Sequence, residues 1–396
     1  MTPRITRIAA LALSLCLGAS VLPAQAADSA RIGFLTTLSG PGSALGLDAR
    51  DGFKLALEHL GDKLGGLPVK LSVADDQQDP QAGRQGVDRL LKRDKVDVMT
   101  GIVFSNVLLP VLPEILRSDT VYLSANTGPR DYAGAKCDPN FFAVAWQNED
   151  IPAAMGRFAT DKGYKRIALI APNYPGGRES LDGFKRLYKG EIVQESYAKL
   201  GQLDFAPELA AIRSARPDAV FFFLPGGMGI NFIKQFGASG LGKDAALLTP
   251  GFSADEDTIK AVGNALVGTF NASQWAADMD NPANKRFVAD FAKRYGRAPT
   301  MYAAQSYDAA LLLDAAVRKA GGKIEDRAAL RAALRTAQFG SLRGAFRFNT
   351  NQYPIQDIYM REVYTDSAGR ITNRTVGKVL SNHADAFVGE CKMAAR

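Results

Sequence analysis

Residues 95–128 read KVDVMTGIVFSNVLLPVLPEILRSDTVYLSANTG, and this stretch decides the fold. An apolar run ends in small polar residues, a proline-marked apolar segment follows, and a second apolar run again ends in small polar residues. This order predicts a strand, a loop, a helix, a second strand and a second loop. Residues 216–252, RPDAVFFFLPGGMGINFIKQFGASGLGKDAALLTPGF, repeat the order with similar spacing. The sequence therefore predicts two similar α/β lobes.

Short runs rich in β-branched and aromatic residues alternate with amphipathic patterns over the rest of the chain. RIGFLTTLSG (31–40) and PVKLSVADD (68–76) are candidate strands, and LDARDGFKLALEHLGDKLGG (47–66) is a candidate helix that ends at its Gly-Gly pair. The strand candidates are apolar throughout, as expected of strands buried on both faces, and Phe221–Phe223 are assigned to the core of a sheet. The alternation predicts an α/β fold with parallel sheets covered by helices on both faces.

Length and composition bound the class of protein. A chain of 396 residues, 46% apolar and 22% charged, is long enough for two or three globular domains and is unlike a disordered or fibrous protein. The net charge of +7 comes from Lys and Arg that are scattered among Asp and Glu. Since no arginine-rich arm or aromatic RNA-binding motif is present, we expect no nucleic acid partner.

The first 26 residues have the pattern of a secretory signal peptide. Arg4 and Arg7 precede the apolar run LALSLCLGASVL, and an A-x-A cleavage site ends at Ala26. The apolar run is too short to span a bilayer. Lipidation of Cys16 is the alternative, but the bulky Leu15 before it argues against a lipoprotein signal. We expect cleavage after Ala26 and an exported mature protein.

Two cysteines, Cys137 and Cys391, remain after that cleavage. In an oxidising compartment such a pair is typical of a disulfide, with two free thiols as the alternative. The chain between them is more than 250 residues long. For a loop of that length, the chain-entropy model predicts that a disulfide stabilises the folded state by on the order of 4–5 kcal/mol. His59 and His383 have no second ligand at a useful spacing, so we expect no metal site.

Catalytic motifs are missing from the sequence. Neither histidine lies in a Ser-His-Asp or Cys-His pattern, and there is no G-x-S-x-G. The glycine clusters in LGKDAA and FLPGGMGINF do not complete a phosphate-binding or dinucleotide-binding loop. We therefore expect no catalytic residue and no cofactor, with an exported enzyme as the alternative.

The break after the first strand of residues 95–128 is a candidate ligand site. Ser105 follows that strand and precedes the predicted helix, whose N terminus favours an anion. The next strand ends in SANTG, where Asn126, Thr127 and Gly128 can turn further N–H groups toward the same space. Such donors suit a carboxylate. A simple N-cap role for Ser105 is the alternative, and the residues alone leave it open.

Several segments together resemble the leucine/isoleucine/valine-binding protein family, the type I periplasmic substrate-binding proteins of ABC transporters. They are IGFLTTLSGPGSALGLDARDGFKLALEHL, VADDQQDPQAG, GIVFSNVLLPVLP, YLSANTGP, RIALIAPNYPGGRES, WAADMDNPANKRFVADF and YAAQSYDAALLLDAA. The resemblance implies two Rossmann-like lobes joined by a three-segment hinge, a periplasmic location and a membrane permease as partner; we also expect a monomer. It places the first lobe at residues 28–143 and 276–355 and the second at residues 146–272 and 357–396.

The resemblance also implies which residues bind the ligand. The family's carboxylate-binding serine matches Ser105, the backbone donors of the next loop match Asn126 and Gly128, and a cleft tyrosine matches Tyr174, for which a turn role is the alternative. The full predicted set is Leu45, Phe104, Ser105, Asn126, Thr127, Gly128, Tyr174, Gly226, Gly251 and Phe252.

The sequence departs from the family at Gly251, where amino-acid binders carry an acidic residue for the ligand's ammonium group. Without that acid a buried ammonium group lacks its counter-charge, unless Asp255 or Glu256 reaches it from a shifted loop. A carboxylate without an α-amino group is then the better ligand.

The residues expected around the ligand are aromatic or small. Phe104, Tyr174 and Phe252, beside Gly226 and Gly227, would leave room for a flat apolar body; a core role for Phe252 is the alternative. We therefore expect an aromatic carboxylate, benzoate-like or coumarate-like. The alternatives are a branched-chain or other apolar amino acid, and a ligand-sensing receptor or regulator with the same fold.

Overall fold

The computed structural model describes residues 27–393, so the predicted signal peptide at residues 1–26 and its cleavage point lie outside the described residues. The strands are β1 (Ala30–Thr36), β2 (Lys63–Leu64), β3 (Leu67–Asp75), β4 (Val98–Thr100), β5 (Val121–Ser124), β6 (Phe141–Ala143), β7 (Arg166–Pro172), β8 (Glu191–Ala198), β9 (Ala219–Phe222), β10 (Ala246–Pro250), β11 (Phe270–Ser273), β12 (Arg347–Phe348), β13 (Pro354–Thr365) and β14 (Ile371–His383). The helices are α1 (Ser43–His59), α2 (Pro80–Asp88), α3 (Ser105–Arg117), α4 (Arg130–Ala133), α5 (Asp150–Asp161), α6 (Pro175–Leu187), α7 (Ala206–Ala215), α8 (Gly227–Ser239), α9 (Glu256–Val262), α10 (Pro282–Tyr295), α11 (Met301–Lys319) and α12 (Arg327–Arg335). No helix within the described range combines the length and apolarity needed to cross a lipid bilayer.

Over residues 27–393 these strands form two sheets. The first has the order β2-β3-β1-β4-β5-β6, and β1 pairs in parallel with both β3 and β4. The second has the order β12-β13-β11-β10-β9-β7-β8, with β14 beside β13; β7 to β11 run parallel, whereas β13 joins β11 antiparallel. The repeated unit read from the sequence is β4-α3-β5 in the first sheet and β9-α8-β10 in the second. The predicted α/β fold with two Rossmann-like lobes is confirmed.

Central strands of both sheets are buried along their whole length. Every residue of β4, β5 and β9 is buried, because helices cover both faces of each sheet. This explains why these stretches are apolar throughout in the sequence. It also leaves the loops at the strand ends as the places where polar side chains can be presented to a ligand.

The first helix differs from the sequence prediction at its end. α1 ends at His59 rather than at the following Gly-Gly pair, and Lys63–Leu64 forms β2, which pairs antiparallel with β3. The chain turns back through Gly61 and Asp62, which have φ of 67° and 56°. The hairpin buries Leu64. A residue that continues the apolar pattern of the helix thus belongs to a strand.

A buried guanidinium group joins the segments that connect the lobes. Arg343 donates to the carbonyl oxygens of Val144 (2.8 Å) and Ala145 (3.2 Å), after β6, and to Gln356 Oε1 (2.8 Å) in β13. Asp308 of α11 balances its charge at 3.0 Å. One ion pair therefore holds two of the connections and α11 together at the hinge.

The chain returns to the first lobe after β11, since α11 packs against α1. It then enters the second sheet again through β13, which pairs with β11. The lobe limits given above from the resemblance stay predictions.

Cys137 and Cys391 form a disulfide, as predicted. Their Cα atoms are 5.6 Å apart, and the bridge joins positions separated by 254 residues. Cys137 follows α4 in the first lobe and Cys391 follows β14 of the second sheet. The bridge therefore ties the end of the chain to the first lobe.

We predict that the double variant Cys137→Ser, Cys391→Ser loses on the order of 4–5 kcal/mol of unfolding free energy, because its unfolded chain is no longer closed into a loop. Urea denaturation followed by circular dichroism measures this loss. Reduction of the wild-type protein should produce the same shift. A double variant with the wild-type midpoint would contradict the prediction.

Candidate functional site

Two helix N termini from opposite lobes face each other across a small cavity. α3 begins at Ser105 after β4, and α6 begins at Pro175 after β7. The two ends are close: a Cβ atom built on Gly176 would lie 3.0 Å from Ser105 Oγ. Each helix N terminus carries a positive partial charge and N–H groups without an intrahelical acceptor. Their approach creates a region that favours an anion.

We call this space the inner cavity. Its volume is about 30 Å³. It is lined by Leu45, Val103, Phe104, Ser105, Asn126, Thr127, Trp146, Asn148, Tyr174, Gly176, Ser180, Phe223, Pro225, Phe252 and Tyr302. The lining includes seven of the ten residues predicted from the sequence: Leu45, Phe104, Ser105, Asn126, Thr127, Tyr174 and Phe252.

Ser105 does not act as an N-cap. The N-cap residue of α3 is Phe104, and no side chain caps the helix. The Ser105 hydroxyl is instead hydrogen-bonded to Thr127 Oγ1 at 2.7 Å, and both residues are buried. A pair of hydroxyl groups carries two protons, of which their mutual bond uses one, so the other is available to a ligand oxygen.

The other residues of the SANTG loop have structural partners. Asn126 Nδ2 donates to the carbonyl oxygen of Val103 at 2.6 Å. The N–H of Gly128 donates to Asn148 Oδ1 at 2.8 Å, and a Cβ atom at this position would lie 1.8 Å from the carbonyl oxygen of Trp146. Gly128 therefore does not line the inner cavity. It lets the connection between the lobes come close, and that connection carries Trp146 and Asn148 to the cavity wall.

Aromatic side chains form about half of the remaining wall. The ring centroids of Phe104 and Tyr174 are 6.4 Å apart, as are those of Tyr174 and Phe223. Phe252 lies 5.5 Å from Phe223 and 4.6 Å from Trp146. Phe223, assigned to the core of the sheet from the sequence, is buried in the core but follows the end of β9 at Phe222 and also lines the cavity.

Sequence reasoning also missed polar wall residues. Ser180 is 1% exposed, lines the cavity, and has no hydrogen-bond partner for its hydroxyl within residues 27–393. Its position four residues after Gly176 on α6 is a signal that could have found it, since such residues share a helix face. Tyr302, at the start of α11, is also part of the wall. Burial raises the pKa of Tyr302 well above its ordinary value, so its hydroxyl stays protonated.

Gly251 lies behind the wall and does not line the cavity. A Cβ atom at this position would lie 2.7 Å from Arg361 Nη2 and 3.0 Å from the carbonyl oxygen of Ala272. Arg361, in β13, is 1% exposed and donates to Asn271 Oδ1 at 2.8 Å. A buried cation therefore occupies the space into which a side chain at residue 251 would extend. In the sequence, the arginine within the strand segment YMREVYT is the signal for this buried cation.

The nearby acidic residues are engaged elsewhere. Asp255 Oδ2 accepts from the N–H of Met301 at 2.6 Å, and Glu256 Oε1 accepts from Thr372 and Asn373. Among the described residues, no Asp or Glu lines the inner cavity. No group of three or more His, Cys, Asp or Glu side chains within residues 27–393 is arranged to hold a metal ion.

A second space, which we call the outer cavity, adjoins the inner cavity. Its volume is about 170 Å³. Leu45, Phe252 and Tyr302 line both cavities and so form the partition between them. The other residues of the outer cavity are Pro41, Ser43, Ala44, Asp48, Gly226, Gly227, Ile230, Asp255, Asp257, Thr258 and Thr300. The predicted residue Gly226 lies here rather than in the inner cavity.

A partly buried carboxylate lies directly behind the inner cavity. Glu179 Oε2 accepts from Asn148 Nδ2 at 2.7 Å, and Glu179 Oε1 accepts from the N–H of Arg130 at 3.3 Å. Burial raises the pKa of Glu179 to about 7; the charge of Glu149 adds to the shift, while the bond from Asn148 and the charge of Arg130 oppose it. Because Asn148 lines the cavity, an anion bound there would come close to Glu179.

Comparison with known proteins places these features in a family. The sequence model of a family described as periplasmic binding protein matches residues 29–369. The Leu/Ile/Val-binding protein homolog 6 of Brucella melitensis is 25% identical over 359 residues, which cover 88% of this chain and 91% of the relative.

Two solved structures are similar over nearly the whole chain. A solute-binding protein of an ABC transporter from R. palustris, in complex with benzoate, is 31% identical with a TM-score of 0.87 and covers 92% of this chain and 100% of its own. A solute-binding protein of an ABC transporter from Rhodopseudomonas palustris BisB5, in complex with 3,4-dihydroxybenzoic acid, is 27% identical with a TM-score of 0.83. The match covers 91% of this chain and 99% of that protein.

We predict that an anion binding in the inner cavity brings a proton onto Glu179. A second negative charge nearby raises the pKa of Glu179 above 7, so the affinity is constant at low pH and falls as the pH rises through about 7. Calorimetric titrations between about pH 6 and pH 8.5 measure this dependence. Glu179→Gln, which cannot ionise, should bind with an affinity that falls less steeply with pH than that of the wild type. The same slope in both proteins would contradict the prediction.

Proposed function

Since the chain belongs to the periplasmic binding protein family, we propose that it captures a small aromatic carboxylate, benzoate-like or coumarate-like, by closing its two lobes on it. The family consists of periplasmic substrate-binding proteins of ABC transporters, which act with membrane permeases and are not enzymes. The ligand, the permease served by this chain and its monomeric state belong to the proposal.

The observation that carries the proposal is an anion site without an acid. The inner cavity combines two helix N termini with the hydroxyl groups of Ser105, Thr127 and Ser180, and no Asp or Glu of the described residues lines it. Hydroxyl and N–H donors stabilise a carboxylate. A buried ammonium group in the same cavity would lack a counter-charge. The cavity therefore favours a carboxylate without an α-amino group over an α-amino acid.

The aromatic wall supports a flat ligand. Phe104, Tyr174, Phe223 and Phe252 line the inner cavity and come from both lobes, and aromatic faces pack well against a planar conjugated group. Two similar solute-binding proteins are in complex with benzoate and with 3,4-dihydroxybenzoic acid. A branched-chain amino acid is the second candidate, because the Brucella melitensis relative is named a Leu/Ile/Val-binding protein homolog.

Closure of the lobes is the proposed mechanism. The carboxylate first binds the hydroxyl pair of Ser105 and Thr127 in the first lobe, and closure then brings Tyr174 and Ser180 of the second lobe against it and expels water. The ligand shifts the protein to the closed form only to the extent that it binds that form more tightly. The closed form then docks to the permease.

The ligand class is tested by comparing amino acids with aromatic acids in one experiment. Thermal unfolding of the mature protein is measured with leucine, isoleucine and valine, and with benzoate, 4-hydroxybenzoate and 4-hydroxycinnamate. We expect stabilisation by at least one aromatic acid, since a ligand that binds only the folded state raises the unfolding temperature. Stabilisation by the amino acids alone would contradict the proposal.

We predict that Ser105→Ala weakens binding of the stabilising acid by about ten- to a hundredfold, the range for a lost hydrogen bond to a charged group. Calorimetric titration measures the loss. Ser118→Ala is the matched control, because Ser118 lies at the opposite end of α3 and bonds the carbonyl oxygen of Ile115. Equal affinities for the wild type and Ser105→Ala would remove Ser105 from the site.

A further inference from the structure

The two cavities between the lobes differ in size in a way that bears on the ligand. A single buried water needs roughly 10–15 Å³, so the inner cavity, at about 30 Å³, has the size of a carboxylate group rather than of a ring. An apolar cavity of about 150 Å³ takes a benzene ring. The outer cavity, at about 170 Å³, is large enough for one.

The partition between the cavities consists of one aliphatic and two aromatic side chains and comes from both lobes. Leu45 of α1 and Tyr302 of α11 belong to helices that pack together in the first lobe, and Phe252 follows β10 of the second sheet. All three line both cavities. A ligand that occupies both cavities must therefore pass between these three side chains. A short planar linker fits that position better than a ring does.

The lining of the outer cavity includes buried hydrogen-bond acceptors. Asp48, 1% exposed, accepts from Thr300 Oγ1 at 2.5 Å and is paired with Arg297. Asp255 is 3% exposed; among the described residues its Oδ1 atom has no hydrogen-bond donor, and Arg361 Nη1 is 3.7 Å away.

These carboxylates favour a neutral donor from the ligand. Burial raises the pKa of Asp48 and of Asp255 to about 7 in each case. Each of the two already faces one arginine, Arg297 or Arg361, so neither is a free counter-charge for a cationic group on the ligand. A hydroxyl group adds a hydrogen bond without adding a charge.

We propose that the ligand spans both cavities and is a hydroxyaryl-propenoate. Its carboxylate occupies the inner cavity, its planar linker passes between Leu45, Phe252 and Tyr302, and its ring lies in the outer cavity with the hydroxyl group toward the buried carboxylates. This inference rests on the proposed function and narrows it, since it selects the longer, coumarate-like acids over benzoate.

The first test uses ligands that differ in one feature at a time. Cinnamate and 4-hydroxycinnamate differ in the hydroxyl group, and benzoate and 4-hydroxybenzoate lack the linker. We expect 4-hydroxycinnamate to bind the wild-type protein about tenfold more tightly than cinnamate, the gain of one hydrogen bond to a buried carboxylate. It should also bind at least about tenfold more tightly than either benzoate.

The second test blocks the outer cavity. A Cβ atom on Gly227 would meet only Pro41, at 3.7 Å and 3.9 Å, so Gly227→Leu adds bulk to the cavity without backbone strain. Gly237→Leu makes the same change on the same helix where a Cβ atom has nothing within 4 Å. Gly227→Leu should lose at least about tenfold in affinity for both cinnamates and less than about threefold for benzoate, and Gly237→Leu should match the wild type.

The outcomes separate this inference from the proposed function. Benzoate binding as tightly as 4-hydroxycinnamate, or equal losses for short and long ligands in Gly227→Leu, would overturn the inference and leave the aromatic-acid function standing. Equal affinity for cinnamate and 4-hydroxycinnamate would overturn the role of the buried carboxylates. Binding of leucine with no aromatic acid bound would overturn the proposed function itself.

Discussion

The approach of two helix N termini from opposite lobes is the constraint on which the site depends. Ser105 begins α3 and Pro175 begins α6, and the two ends come so close that a Cβ atom on Gly176 would lie 3.0 Å from Ser105 Oγ. Two positive helix ends repel each other unless an anion lies between them. In the proposed mechanism, an anionic ligand therefore stabilises the closed arrangement of the lobes, and the electrostatics of the backbone couple binding to closure.

The surroundings of Gly251 support the proposal that this cleft is not an amino-acid site. Gly251 is small because the guanidinium group of Arg361 lies where its side chain would extend. Asp255, the acidic side chain nearest in sequence, is held by the N–H of Met301 and lies by the outer cavity. Among the described residues, the acids thus line the outer cavity and not the inner cavity, where an α-ammonium group would need one.

The sequence predicts those features that depend on local patterns. The two-lobe fold, the disulfide and the proximity of Ser105 to Thr127 all follow from strand ends, glycine clusters and cysteine count. The role of Gly128 does not follow from the sequence, because a glycine indicates a close approach without indicating which group approaches. In the structure, the group that approaches Gly128 is the backbone of the hinge connection at Trp146. Asn148 and Arg361 could not be assigned to the site, since their positions depend on how the connections cross between the lobes and not on any periodicity.

The central claim is that this cleft binds a carboxylate and has no place for an α-ammonium group. Tyrosine and 3-(4-hydroxyphenyl)propanoate share one skeleton and differ only in that group, so calorimetric titration of the mature protein with the pair isolates its contribution. We expect 3-(4-hydroxyphenyl)propanoate to bind and tyrosine to bind at least about a hundredfold more weakly, because burying an unpaired ammonium group costs several kcal/mol. Tyrosine binding as tightly as its deaminated analogue, or more tightly, would contradict the claim.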